Sequence, residues 1–86
     1  MQDNSVRVIR VEAIADATIQ KTEKRFSIPV RYVLEDGRTV EYRITRQRRR
    51  DVVAEIEALP KPPDDDLRVR VENGRVVQTE RRFSLF

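Results

Sequence analysis

From Phe26 to Leu34 every second residue is apolar: Phe26, Ile28, Val30, Tyr32 and Leu34 alternate with Ser27, Pro29, Arg31 and Val33. A period of two places alternate side chains on one face of an extended chain, so the pattern predicts a half-buried strand over 26–34. Val40, Tyr42 and Ile44 repeat it and predict a second strand over 38–45. The turn between them sets the register. A two-residue loop at Asp36-Gly37 would lay the apolar face of the first strand against Glu41 and Arg43. A three-residue loop, Glu35-Asp36-Gly37 with Gly37 in the left-handed bulge position, instead pairs Tyr32 with Val40, Val30 with Tyr42 and Ile28 with Ile44. It also sets Arg31 opposite Glu41, a favourable cross-strand combination.

Residues 6–14 are β-branched and roughly alternating. Val8-Ile9 breaks the period, so this strand is expected to carry a bulge there. Residues 15–24 read as a long connection or a short helical turn. After Thr45 the apolar spacing becomes helical, with Val52, Val53, Ile56 and Leu59 on one side. A helix is expected over 47–59, capped by Thr45 or Asp51 and stopped by Pro60-Lys61-Pro62-Pro63. Beyond a Pro/Asp loop at 60–66, Leu67, Val69 and Val71 predict a strand over 67–72. A three-residue loop Glu72-Asn73-Gly74 then pairs Val69 with Val77 in a last strand over 75–83, whose inner face continues through Thr79, Arg81 and Phe83.

The expected architecture is one α+β, mainly β domain over 1–86, of order β-β-β-α-β-β. That order fits an OB-like barrel or a strongly curved antiparallel sheet with one helix. Eighty-six residues hold a single small core, and the 38% of apolar residues suffices to fold it.

Composition narrows the chemistry. The chain has no cysteine and no histidine, which removes disulfides, thiolate nucleophiles and the commonest neutral-pH base and metal ligand. Both glycines sit in hairpin turns, so no glycine-rich phosphate loop exists. Asp64-Asp65-Asp66 is the only dense carboxylate run, and it lacks the spacing of a calcium loop; a solvated acidic loop is the expectation. No catalytic residue, metal ligand or cofactor is expected, and the protein is expected not to be an enzyme. No stretch is apolar enough for a membrane span and the N-terminus lacks a signal-peptide pattern, so a cytoplasmic protein is expected.

Eighteen basic residues face fifteen acidic ones for a net charge of +3, and all but three of the basic residues are arginine. Arginine's planar fork pairs with carboxylate or phosphate. Positive charge in the first turn of a helix opposes its dipole, so the run Arg46-Gln47-Arg48-Arg49-Arg50 stands out. Arg46, Arg48, Arg49 and Arg50, with Arg31, Arg43, Arg68, Arg70 and Arg10 in an outward row, are the candidate contacts to an acidic or phosphate-bearing partner. The competing expectation is that the helix starts at Asp51 and these arginines pair with Asp51, Glu55 and the 64–66 loop. At the other end, Arg82, Phe83, Leu85 and Phe86 form a candidate docking segment, able to add as a strand or enter a groove.

One internal similarity stands out. Arg10-Val11-Glu12 with Thr22-Glu23-Lys24-Arg25-Phe26-Ser27-Ile28 resembles Arg70-Val71-Glu72 with Thr79-Glu80-Arg81-Arg82-Phe83-Ser84-Leu85. Two related hairpins presenting equivalent Phe-Ser surfaces would account for it. Interspersed charges and the apolar C-terminus favour a binding module with a protein partner, whether inhibitor, adaptor or assembly component, and edge strands offer homo-oligomer pairing. The alternative is an OB-like domain that contacts nucleic-acid phosphates through arginine. Phe26, Tyr32 and Tyr42 fall on inner faces, which counts against single-strand stacking.

Overall fold

The computed structural model describes residues 5–82. Six strands and one helix follow in the order β1 (Val6–Ala13), β2 (Gln20–Thr22), β3 (Arg25–Leu34), β4 (Thr39–Arg46), α1 (Arg49–Glu57), β5 (Asp66–Glu72) and β6 (Arg75–Arg82). The chain order is therefore β-β-β-β-α-β-β, one strand more than β-β-β-α-β-β. The added strand, β2, lies in the segment read as a connection. Its three residues are exposed, and backbone pairing of Gln20 with Ser27, Lys21 with Phe26 and Thr22 with Arg25 holds it. A strand with no buried face has no apolar alternation to reveal it.

β3 is the hub. Its start pairs with β2 and its second half with β1 along the same edge, while β4 covers the other edge from Phe26 to Val33. The β3–β4 register pairs Tyr32 with Val40, Val30 with Tyr42, Ile28 with Ile44 and Arg31 with Glu41, as a three-residue loop requires. Gly37 takes φ 91° and donates its N–H to the Leu34 carbonyl, and Leu34 N–H bonds the Arg38 carbonyl. Only glycine adopts that φ without strain. Asp36 secures the turn by accepting from Arg38 N–H at 3.1 Å and from Arg38 Nε at 2.8 Å, and these bonds hold its carboxyl below the usual range.

β1 is divided between two neighbours. Val6 and Arg7 pair with β5, and the strand then passes to β3, with the register slipping between Val8 and Arg10. Ile9 is the extra residue and faces outward, leaving Val8 buried. The bulge thus falls where the alternation breaks. All strands belong to one antiparallel sheet, which curls until β6 comes back beside β4. Among the described residues no ladder joins β4 to β6, so the sheet stays open and does not form a closed barrel.

The β5–β6 hairpin differs from the expected register. Asn73 (φ 55°) and Gly74 (φ 76°) form a two-residue turn closed by Glu72 and Arg75. Asn-Gly is the pair best suited to such a turn, because both positions need positive φ. Val71 then pairs with Val76, the register slips, and Val69 meets Thr79 instead of Val77. The conflict between turn and apolar face is resolved by bulging out Val77, which is 49% exposed, so that Val76 packs on the core. Thr79 and Arg81 are exposed and do not extend a buried face.

The helix starts two residues later and ends two residues earlier than 47–59. Thr45 remains in β4 and Asp51 lies in the first turn, so neither is the N-cap. That position falls to Arg48, whose extended backbone makes no side-chain capping bond. Val52 is fully buried against the sheet, and Pro60 prevents continuation. The core is Val8, Ile28, Val30, Tyr32, Leu34, Val40, Val52, Leu67 and Val69.

Candidate functional site

Strand geometry decides which arginines are neutralised. Residues two apart on a strand share a face, so an Arg-x-Glu or Asp-x-Arg sequence supplies its own counter-charge. Arg10 pairs with Glu12 at 2.8 Å, Arg70 with Glu72 at 3.4 Å and Arg68 with Asp66 at 3.4 Å. The expected outward row of Arg10, Arg31, Arg43, Arg68 and Arg70 is therefore not a uniformly positive surface. The acidic run is similarly consumed: Asp64 faces Lys61, Asp65 faces Arg81, and Asp66 lies between Arg7 and Arg68. Among the described residues no three carboxylates gather as a metal site.

The cluster at the start of the helix divides. Arg46 turns toward the helix, where Nη2 donates to Glu55 at 2.9 Å, one of the pairs the competing expectation named. Arg48, Arg49 and Arg50 are exposed and form no ion pair among the described residues, neither with Asp51 nor with the 64–66 loop. They begin a helix that has no side-chain cap.

Arg48 has company that sequence reasoning missed. Pairing of Phe26 with Arg46 brings the β2–β3 turn beside the β4–α1 connection. The two segments enclose an open groove of about 450 Å³ lined by Lys24, Arg25, Gln47 and Arg48. Lys24 and Arg25, like Arg48, have no carboxylate partner among the described residues. Lys21 stands nearby with its ammonium 5.8 Å from the Phe26 ring centre, a cation–π contact. Glu23, at the tip of the turn, holds φ 48°, an uncommon conformation for a side chain of this kind. The available signal was the three cations of Lys21-Thr22-Glu23-Lys24-Arg25, but without β2 nothing placed them against Arg48.

From the groove the outer face of β3 and β4 continues through Arg43 and Arg31. Arg43 donates to the buried Ser27 hydroxyl at 3.1 Å. Arg31 lies opposite Glu41 in the register but forms no ion pair with it.

A second concavity, of about 300 Å³, lies between the end of the helix, the 60–66 connection and the curled sheet. Leu59 and Leu67 give it apolar walls, and Tyr32, Arg46, Glu55 and Arg81 give it polar atoms. Tyr32 stacks on Tyr42 with ring centres 5.0 Å apart. Burial, then the neighbouring Tyr42, pushes the Tyr32 phenol up to about 12; Arg81 and Arg46 partly offset this.

Of the C-terminal docking residues, Arg82 closes β6 by pairing with Asp66, while Phe83, Leu85 and Phe86 lie outside the described residues. The internal similarity holds for Arg10-Val11-Glu12 and Arg70-Val71-Glu72, which both lie on strands with the arginine paired to the glutamate two residues on. Its Phe83-Ser84-Leu85 part lies outside the described residues, and the segments before it differ. Thr22–Arg25 form a turn with Glu23 at positive φ, whereas Thr79–Arg82 run within β6. No helix among the described residues is long and apolar enough to cross a membrane. Comparison with known proteins finds no matching family model, curated protein or solved structure.

Proposed function

We propose that the protein is a non-enzymatic, OB-like binding module that holds the phosphate backbone of nucleic acid in the groove of Lys24, Arg25, Gln47 and Arg48. The observation that carries this reading is the contrast in charge pairing. Among the described residues eight basic side chains are matched to carboxylates. Lys21, Arg31, Arg43, Arg49, Arg50 and Arg75 are not, but only Lys24, Arg25 and Arg48 both lack a carboxylate partner and converge on a groove whose lining holds no carboxylate. Unpaired guanidinium and ammonium groups converging on one groove repel one another, and a phosphate relieves that repulsion. Its negative charge also suits the N-terminus of a helix, and the uncapped helix beginning at Arg49 adjoins the groove. The OB-like reading is supported by the adjacency β4-β3-β1-β5-β6, with the helix inserted between β4 and β5, an arrangement open to that class.

The test is a titration with labelled single-stranded and duplex oligonucleotides. Three phosphate contacts, from Lys24, Arg25 and Arg48, predict a loss of about twenty- to fortyfold in affinity between roughly 50 and 200 mM salt. R25A/R48A is expected to weaken binding about tenfold at the lower salt and to lower the slope of log affinity against log salt by about two. Arg70→Ala, which removes an already neutralised charge, is expected to change little. Salt-insensitive binding, or equal affinity of R25A/R48A and the parent, overturns the assignment.

A protein partner is the second reading. The open seam between β4 and β6 favours it, because strand edges without a ladder accept an added strand. Absence of oligonucleotide binding at either salt moves the interpretation there.

A further inference from the structure

We propose that the concavity between the helix and the curled sheet receives one unstacked nucleobase of the bound strand, so that the preferred ligand is single-stranded nucleic acid; this rests on the phosphate reading of the neighbouring groove. Three consecutive residues connect the two cavities. Gln47 and Arg48 line the cationic groove, and Arg46 lines the concavity. At the end of β4 the two cavities are thus lined by residues no more than two positions apart, within reach of neighbouring nucleotides of one strand.

The cavity suits a base in size and chemistry. Its volume is about 300 Å³. That lies at the small end of ligand pockets, room for a ring system and little more. A nucleobase has two apolar faces and an edge carrying both donors and acceptors. Leu59 and Leu67 offer surfaces for the faces. Glu55 supplies an acceptor for ring or exocyclic N–H groups, and Arg46 and Arg81 supply donors for ring nitrogens or carbonyls. Tyr32 lines the same cavity as Arg46, Glu55 and Arg81. Arg81 is held only loosely by Asp65, at 3.5 Å, and can turn to a ligand with little lost. Duplex pairing hides the base edge that these groups would read, which is the reason for the single-strand preference.

The experiment compares a twelve-residue oligodeoxycytidylate with an abasic deoxyribose-phosphate strand of the same length and charge, at about 50 mM salt, while the methyl resonances of Leu59 and Leu67 are followed by NMR. The base-bearing strand is expected to bind at least about tenfold more tightly and to shift both sets of methyls; the abasic strand is expected to leave them in place. Equal affinities with unshifted methyls overturn the base site and leave the phosphate reading standing. Failure of both strands to bind overturns the phosphate reading and the base site with it.

Discussion

Leu34→Ala is expected to lower the unfolding free energy by about 3–5 kcal/mol, the range for a buried leucine whose surroundings cannot collapse into the gap. Leu34 is fully buried at the end of β3, paired with Val8 of β1, and both its N–H and its carbonyl are used in the β3–β4 turn. Its backbone is therefore pinned on two sides and cannot move inward to fill the space. A domain of this length buries only about 60–65% of its chain surface, so its total stability belongs near the low end of the usual range of about 5–15 kcal/mol. The variant is expected to keep only about 0–2 kcal/mol and to unfold at a much lower urea concentration than the parent in a titration followed by circular dichroism. A loss below about 1 kcal/mol would show that the β3–β4 turn is softer than its hydrogen bonds imply.

Between about pH 10 and pH 12 the protein is expected to lose roughly 2–3 kcal/mol of stability through Tyr32 alone. The phenol titrates near 10 when the chain is unfolded and at about 12 in the folded protein, because burial and the adjacent Tyr42 disfavour the phenolate more than Arg81 and Arg46 favour it. The unfolded state loses its proton first, so the folded state binds more protons across that window and stability falls as pH rises. Below pH 10 both states are protonated and the contribution is constant. Urea unfolding of the parent and of Tyr32→Phe at a series of pH values from about 8 to 12 isolates it, since the other groups are common to both. The parent curve is expected to descend relative to the variant by that amount; parallel curves would place the phenol in water.

The parts of the fold that bury one face were legible in the sequence. Alternation from Phe26 to Leu34 and from Val40 to Ile44, together with the requirement that apolar faces meet, is enough to derive the β3–β4 register residue by residue. Pro60 likewise marks the end of the helix through its own stereochemistry. Elements stabilised by backbone pairing alone leave no such trace, and β2 is the example. At Asn73-Gly74 two local preferences conflict: the turn residues ask for two positions and the apolar face asks for three. The bulge at Val77 satisfies the turn, a compromise that counting apolar positions does not supply. The site was legible in the same uneven way. The excess of arginine near the helix was plain, but which arginines keep their charge depended on same-face carboxylates two residues away and on a hairpin with no apolar pattern. Arg48 was identified, whereas Lys24, Arg25 and Gln47 required the pairing of Phe26 with Arg46.

The divided strand β1 gives the molecule a line of weakness. Only Val6 with Val69 and Arg7 with Arg68 join the β5–β6 hairpin to the rest of the sheet by backbone pairing among the described residues, whereas β3 and β4 share eight consecutive pairs. The hairpin is otherwise held by side-chain packing, chiefly of Leu67 and Val69 into the common core. Opening along that line breaks few hydrogen bonds, so the cheapest large excursion of this fold is a rocking of β5–β6 away from β1, with the β3–β4 ribbon left intact. Leu67 and Arg81 belong to the part that rocks, and Tyr32 and Arg46 to the part that stays; anything that touches all four acts as a clasp across the two lobes.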